Sequence, residues 1–162
     1  MLGYFMKNLI IYLLIFGSVI AFSQDGGLQK ARKLAGGIET YVDIPTELQD
    51  NVAKFFKLIE KKEIKDAYEG LLDKSPIFEK KQEVSSLIKQ TLVSFDFYGK
   101  FYGFEPVNAE KVTDSYLRLR YVGLYEKYPI RWIFTYYKSP DRGWIVTNVK
   151  FDDLSEFFFY DE

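Results

Sequence analysis

The apolar pattern of the chain changes its period near Gly99, and this change constrains the possible fold more than any other feature. Before Gly99, apolar residues recur every three or four positions, which is typical of amphipathic helices. After Gly99 they alternate with polar residues, which is typical of strands. Helices followed by strands with short connections predict an α+β domain whose helices pack on an antiparallel sheet.

Helix signals are clear before Gly99. Thr46 and Gln49 form a capping-box pattern, so a first helix is expected to begin directly after Thr46. Ser75-Pro76 interrupts the helical spacing, and Gly99 is a natural helix end. The predicted helices are Glu47–Lys61, Ile64–Leu72 and a third from near Lys80 to Tyr98.

Turn signals divide the second half of the chain into strands. Tyr128-Pro129 marks one turn, and Ser139–Gly143 places Pro and Gly at the bend of a hairpin. We expect a curved four-stranded antiparallel sheet that wraps around the helices as a cone-shaped roll, whose open end can become a pocket. The predicted strands are Phe104–Val112, Ser115–Tyr125, Ile130–Lys138 and Trp144–Asp152.

The N-terminus has the pattern of a signal peptide. An apolar run, Leu9–Phe22, is about 14 residues long, shorter than the roughly 20 that span a membrane. Cleavage is expected after Ser23, so 1–23 is the signal peptide; an uncleaved anchor is the alternative. The ending "AFSQ" resembles exported proteins of the Bacteroidetes group. We therefore expect a periplasmic or extracellular protein without a membrane attachment, with a linker at 24–44 and one domain at 45–162.

Composition excludes several chemistries. The sequence contains no cysteine and no histidine, so disulfides, Cys- or His-based zinc sites and Ser–His–Asp catalysis are excluded. Its 22 basic and 23 acidic residues nearly cancel, which argues against nucleic-acid binding. No glycine-rich phosphate-binding motif is present, so no nucleotide-binding fold and no cofactor are expected. A magnesium or calcium site made only of carboxylates is the alternative that composition leaves open, although no calcium-loop motif is present.

Four segments carry a family resemblance: "AYEGLLDKSPIF" from Ala67, "FYGFEPV" from Phe101, "LRLRYVGLYEKYPIRWIFTYYKS" from Leu117 and "GWIVTNVKFDD" from Gly143. In element order and aromatic placement, Pro45–Leu154 resembles small exported bacterial proteins of the nuclear-transport-factor-2-like or cystatin-like superfamily. The resemblance implies a cone-shaped α+β fold. It leaves open an isomerase- or dehydratase-like enzyme with a carboxylate base, or a non-catalytic binding domain. Many members carry an early hairpin between helices, which this sequence does not predict.

Aromatic residues on the third predicted strand have two interpretations. Trp132, Phe134 and Tyr136 share one strand face, while Arg131 lies on the other. The favoured interpretation is a packed core. The alternative is an aromatic-walled cone in which Trp132 and Tyr136 contact a ligand.

Arginines on neighbouring strands are candidate ligands for an anion. Arg118, Arg120 and Arg131 would meet on one face if their strands pair, with Tyr116 placed to stack on an arginine. The alternative is an exposed strand face with cross-strand pairs to Asp or Glu. If these arginines hold an anion, changing them to Ala is expected to weaken binding and leave folding intact.

These patterns favour a non-catalytic exported domain that binds a small apolar, amphipathic or anionic ligand, or a protein partner. An enzyme would need a buried carboxylate base, for which Asp66, Asp96 and Glu105 are the candidates, each with a solvated position as the favoured interpretation. A structural homodimer through the outer sheet face is the third alternative. The aromatic tail, Phe157–Tyr160, is expected to fold back onto the domain, or else to dock on a partner.

Overall fold

The computed structural model describes residues 44–154 and 156. The predicted signal peptide, residues 24–43 of the predicted linker and the aromatic tail lie outside the described residues. Ile44, the last residue of the predicted linker, is buried in the core. The helices are α1 (Thr46–Glu60), α2 (Ile64–Leu72) and α3 (Lys81–Tyr98); the strands are β1 (Phe101–Thr113), β2 (Tyr116–Tyr125), β3 (Ile130–Ser139) and β4 (Gly143–Asp152).

The sheet is a four-stranded antiparallel meander in the order β1-β2-β3-β4. Its two edges stay apart, so it does not close into a barrel, and the helices pack on one face. The predicted α+β class, with helices before the sheet, is confirmed. No helix in 44–154 or at 156 has the length and apolar character needed to cross a membrane.

The start of α1 differs from the capping-box prediction. Thr46 is the first helical residue rather than the cap, and the N-cap is Pro45, whose side chain cannot accept a hydrogen bond. Gln49 does reach back, but its Nε2 donates to the carbonyl of Ile44 at 3.0 Å. The helix is therefore tied to the core through Ile44, which is itself buried.

The first strand begins three residues earlier than predicted, at Phe101 rather than Phe104. Phe101 pairs with Tyr125 across the sheet and packs its ring against Phe56 of α1, with centroids 5.8 Å apart. These contacts join residues far apart in the sequence, so the local pattern around Gly103 did not reveal them. A short 3₁₀ turn, Pro76–Glu79, fills the break predicted at Ser75-Pro76.

The core between α1 and the sheet is built largely from aromatic rings. Phe55 makes edge contacts with Tyr68, Trp132 and Phe134 at centroid distances of 5.2–5.5 Å. Such contacts stabilise by about 0.5–1.5 kcal/mol each beyond the area they bury. The interpretation of the β3 aromatics as core is confirmed for Trp132, Phe134 and Tyr136, all of which are buried.

Candidate functional site

A groove between α1 and α2 encloses about 290 Å³. Its floor is apolar and its rim is polar. Each helix contributes residues at helical spacing, so the groove follows the line along which the two helices meet. The lining residues are Phe55, Leu58, Ala67 and Leu71 on the floor, Glu47, Asn51 and Lys54 on the rim, and Gly70.

Gly70 contributes no side chain to the wall of this groove. A Cβ built at Gly70 would meet no other atom within 4 Å, so packing inside the protein does not require a glycine here. A glycine inside a helix costs about 1 kcal/mol relative to alanine. The residue therefore weakens α2 and leaves open space in the groove. The sequence patterns did not predict this groove; the glycine inside the α2 pattern is the signal that could have indicated it.

A second cavity of about 80 Å³ extends the groove toward β4. The two cavities share Glu47, Asn51, Gly70 and Leu71, and the extension reaches Trp144 of β4. The half-buried indole of Trp144 already attracts a cation, since the Lys138 Nζ lies 6.0 Å from its ring centre. The extended groove thus offers an apolar floor, an amide, charges of both signs and one aromatic wall.

Trp132 and Tyr136, the two aromatic ligand candidates, lie in the helix–sheet core and are not among the lining residues of this groove. The Tyr136 hydroxyl has no hydrogen-bond partner within the described residues. Burial raises the pKa of Tyr136, and the neighbouring Tyr121 and the Glu47 carboxylate raise it further. The hydroxyl therefore stays neutral over the physiological pH range.

The other four candidates share the outer face of the sheet, opposite the helices. Strand register pairs Tyr116 with Tyr137, Arg118 with Thr135 and Arg120 with Ile133, and it places Arg131 opposite Val122. The structure thus brings Tyr116, Arg118, Arg120 and Arg131 together on one face. It separates them from Trp132 and Tyr136, which point to the other side.

Acidic residues on the neighbouring strands pair with these arginines. Glu110 of β1 lies 2.8 Å from the Arg120 guanidinium and 3.6 Å from that of Arg118. Arg131 donates two hydrogen bonds to Asp152, from Nε at 3.0 Å and from Nη2 at 2.8 Å. The cross-strand pairs of the alternative interpretation are therefore present, although the face is not fully exposed, because Arg120 and Arg131 are 4% and 2% exposed.

One polar pair on this face is incompletely satisfied. In the part of the chain that the structure describes, the Arg120 Nε and the Asn108 Oδ1 are buried without hydrogen-bond partners. Arg120 and Asn108 are direct cross-strand neighbours. A buried donor and a buried acceptor without partners each carry a desolvation cost of about 1–3 kcal/mol.

The three candidates for the carboxylate base of an isomerase-like mechanism are exposed. Asp66, Asp96 and Glu105 all lie at the surface, so none has the buried position expected of a catalytic carboxylate base. Within residues 44–154 and 156, no group of three or more Asp or Glu side chains is placed to hold a metal ion.

Comparison of the chain with protein-family models, with curated proteins and with solved structures finds no match.

Proposed function

We propose that this chain is an exported, non-catalytic domain that binds a small amphipathic ligand in the groove between α1 and α2. The observation that carries the proposal is the groove's apolar floor beneath a polar rim, with open space beside Gly70. Export rests on the sequence pattern of residues 1–23. The exposed positions of Asp66, Asp96 and Glu105 support a binding role over the isomerase- or dehydratase-like alternative.

The lining residues suggest the ligand's chemistry. The groove volume of about 290 Å³ lies just below the range for small-molecule sites, roughly 300–1,000 Å³, which favours a small ligand. Phe55, Leu58 and Leu71 would bury an apolar body, and the Asn51 amide would donate to or accept from a polar end. Glu47 and Lys54 carry opposite charges on the rim, which favours an uncharged or zwitterionic head group.

A test of this proposal fills the groove without disturbing the fold. Gly70→Leu adds a side chain into empty space and replaces a poor helix former, so we expect the free energy of unfolding to rise by about 0.5–1 kcal/mol. We expect the affinity for N-phenyl-1-naphthylamine, an uncharged amphipathic dye, to fall by roughly tenfold or more, because the leucine side chain would occupy space that the dye needs. Fluorescence titration of the chain without residues 1–23 measures the affinity.

Lys65→Leu is the matched control, because it adds the same side chain to an exposed position of α2 that does not line the groove. Native mass spectrometry of the protein purified from its host gives an independent readout. We expect an adduct in the wild type and in Lys65→Leu, and none in Gly70→Leu. Dye binding that survives Gly70→Leu unchanged contradicts the proposal.

The arginine-bearing outer face is a second candidate, as a site for an anionic head group. Its support is the buried Arg120 Nε without a partner in the described residues, beside Arg118 and an exposed Tyr116. An anion with an apolar chain would accept from the guanidinium groups in competition with Glu110.

Arg118 is suited to testing this second site, because its side chain is 38% exposed and its pair with Glu110 is long. We expect Arg118→Ala to weaken decanoate binding about tenfold, because one charge-assisted hydrogen bond to the carboxylate is lost. Binding of decanol, which carries no charge, is expected to stay unchanged. Arg142→Ala, at an exposed hairpin position, is the control. Isothermal titration calorimetry that finds equal decanoate affinities in wild type and Arg118→Ala would remove this candidate.

A further inference from the structure

The outer side of α3 presents apolar side chains to solvent. Leu92, Val93 and Phe97 are 48%, 46% and 69% exposed. An exposed Phe beside exposed aliphatic side chains is typical of an interaction surface rather than of a solvated helix face. We call the face formed by Lys89, Gln90, Val93, Asp96 and Phe97 the α3 face.

A groove of about 210 Å³ runs alongside the α3 face, between α3 and the start of β3 and end of β4. Its apolar walls come from Val93, Tyr98, Ile130 and Phe151. Gln90 and Phe97 both line this groove, and they lie two helical turns apart along α3. The same surface therefore carries a protruding aromatic ring and a recess next to it.

Charges on the α3 face are arranged symmetrically about Val93. At about 100° per residue, Lys89 and Asp96 lie on one flank of Val93, and Gln90 and Phe97 lie on the other, the groove side. Lys89 precedes Val93 by four residues and Asp96 follows it by three, which places them about 6 Å and about 4.5 Å along the helix axis in opposite directions.

We propose that the α3 face is a homodimer interface, in which α3 packs antiparallel to α3 of a second copy about a twofold axis near Val93. Rotation about this axis places the Lys89–Asp96 flank of one α3 helix against the same flank of the other copy's α3. Lys89 of each copy then meets Asp96 of the other, with an axial offset of about 1.5 Å. On the opposite flank, Phe97 of each copy reaches the Gln90 end of the other copy's groove. The face is therefore complementary to itself in charge and in shape.

This interface is distinct from the groove between α1 and α2 and from the outer face of the sheet. None of the residues that line the α1–α2 groove belongs to the α3 face. A single pair of helices buries less than the roughly 1,600 Å² of a standard stable interface. The expected dimer is therefore reversible, with a dissociation constant on the order of tens of micromolar.

Sedimentation velocity across a concentration series of the chain without residues 1–23 tests the proposal. Lys89→Asp and Asp96→Lys each place like charges at both of the symmetry-related contacts between residues 89 and 96. We expect each variant to weaken the dimer by roughly tenfold or more, because like charges repel across the interface. The double variant Lys89→Asp/Asp96→Lys exchanges the two charges and is expected to restore the wild-type dissociation constant within about threefold. All these positions are exposed, so the fold is expected to tolerate the changes.

Phe97→Ser tests the aromatic contact and is also expected to weaken the dimer at least tenfold, by loss of a central aromatic anchor. Tyr102→Ser is its control, because Tyr102 is an exposed aromatic outside the α3 face. A wild-type protein that stays monomeric up to several hundred micromolar, roughly ten times the expected constant, overturns the proposal. Failure of the charge exchange to restore dimerisation overturns the antiparallel arrangement.

Discussion

Replacing Trp132 with Ala is expected to lower the free energy of unfolding by about 3–5 kcal/mol, the range for large aromatic residues removed from a core. Trp132 is fully buried and stacks on Phe151 with ring centroids 4.5 Å apart. It also makes edge contacts with Phe55 and Phe56 of α1 at 5.4 and 5.6 Å. The indole thus joins β3, β4 and α1, and the cavity left by Ala would lie where they meet.

Gly123 explains how the sheet accommodates this ring. A Cβ at Gly123 would lie 3.0 Å from the Trp132 Nε1, which is closer than ordinary packing allows. The indole N–H has no hydrogen-bond partner among the described residues, so part of its burial is unfavourable. Trp132→Phe keeps an aromatic ring and removes this N–H, and we expect it to cost much less than the Ala change, about 1–2 kcal/mol.

Urea unfolding followed by circular dichroism measures both changes. Trp144→Ala is the matched control, because Trp144 is the other tryptophan and is only half-buried, next to the hairpin. We expect it to cost about 1 kcal/mol, close to the typical point substitution. Equal losses at Trp132 and Trp144 would mean that Trp132 is not the centre of the core.

Replacing Arg131 with Ala is expected to lower the free energy of unfolding by about 2–3 kcal/mol, because it removes a buried side chain and leaves the Asp152 carboxylate, which is 25% exposed, without its ion-pair partner. Arg131 is 2% exposed and binds Asp152 through two hydrogen bonds of 3.0 and 2.8 Å. Asp152 also accepts from the backbone N–H of Leu154 at 3.2 Å. The pair therefore holds the end of β4 against the start of β3.

Arg131→Lys separates geometry from charge. A lysine ammonium keeps the charge but cannot form the planar two-bonded contact, so we expect it to recover less than half of the loss. Arg142→Ala, at an exposed hairpin position, is expected to change stability by no more than about 0.5 kcal/mol. Chemical denaturation of the three variants decides the matter, and wild-type stability in Arg131→Lys would contradict the two-bonded role.

This prediction also bears on the anion hypothesis. Under that hypothesis, Arg→Ala changes are expected to leave folding intact. This expectation suits Arg118, which is partly exposed, but it does not suit Arg131, which is buried and joins two strands. Arg131 is therefore better placed to stabilise the sheet than to bind an anionic ligand. Arg118 is therefore the useful variant for binding experiments.

Local signals in the sequence predicted most of the elements. Gly99 has φ 82° at the end of α3, a conformation that glycine adopts without strain, and α3 does end at Tyr98. The hairpin after Ser139 closes at Gly143 as its turn residues indicated. The start of β1 was missed because Phe101 is held in the strand by Tyr125 and by a ring of α1, and neither contact is local in sequence.

The order of the helices and strands, the α+β class and the alternation that places Arg131 and Trp132 on opposite faces of β3 could all be predicted from the sequence. These properties follow from side-chain periodicity and from backbone preferences, which act over a few residues. The tertiary structure is needed to place Arg118, Arg120 and Arg131 on one face beside their acidic partners, since that depends on strand register. It also decided that α1 and α2 leave a groove at Gly70, because the gap between two helices depends on how both pack on the sheet.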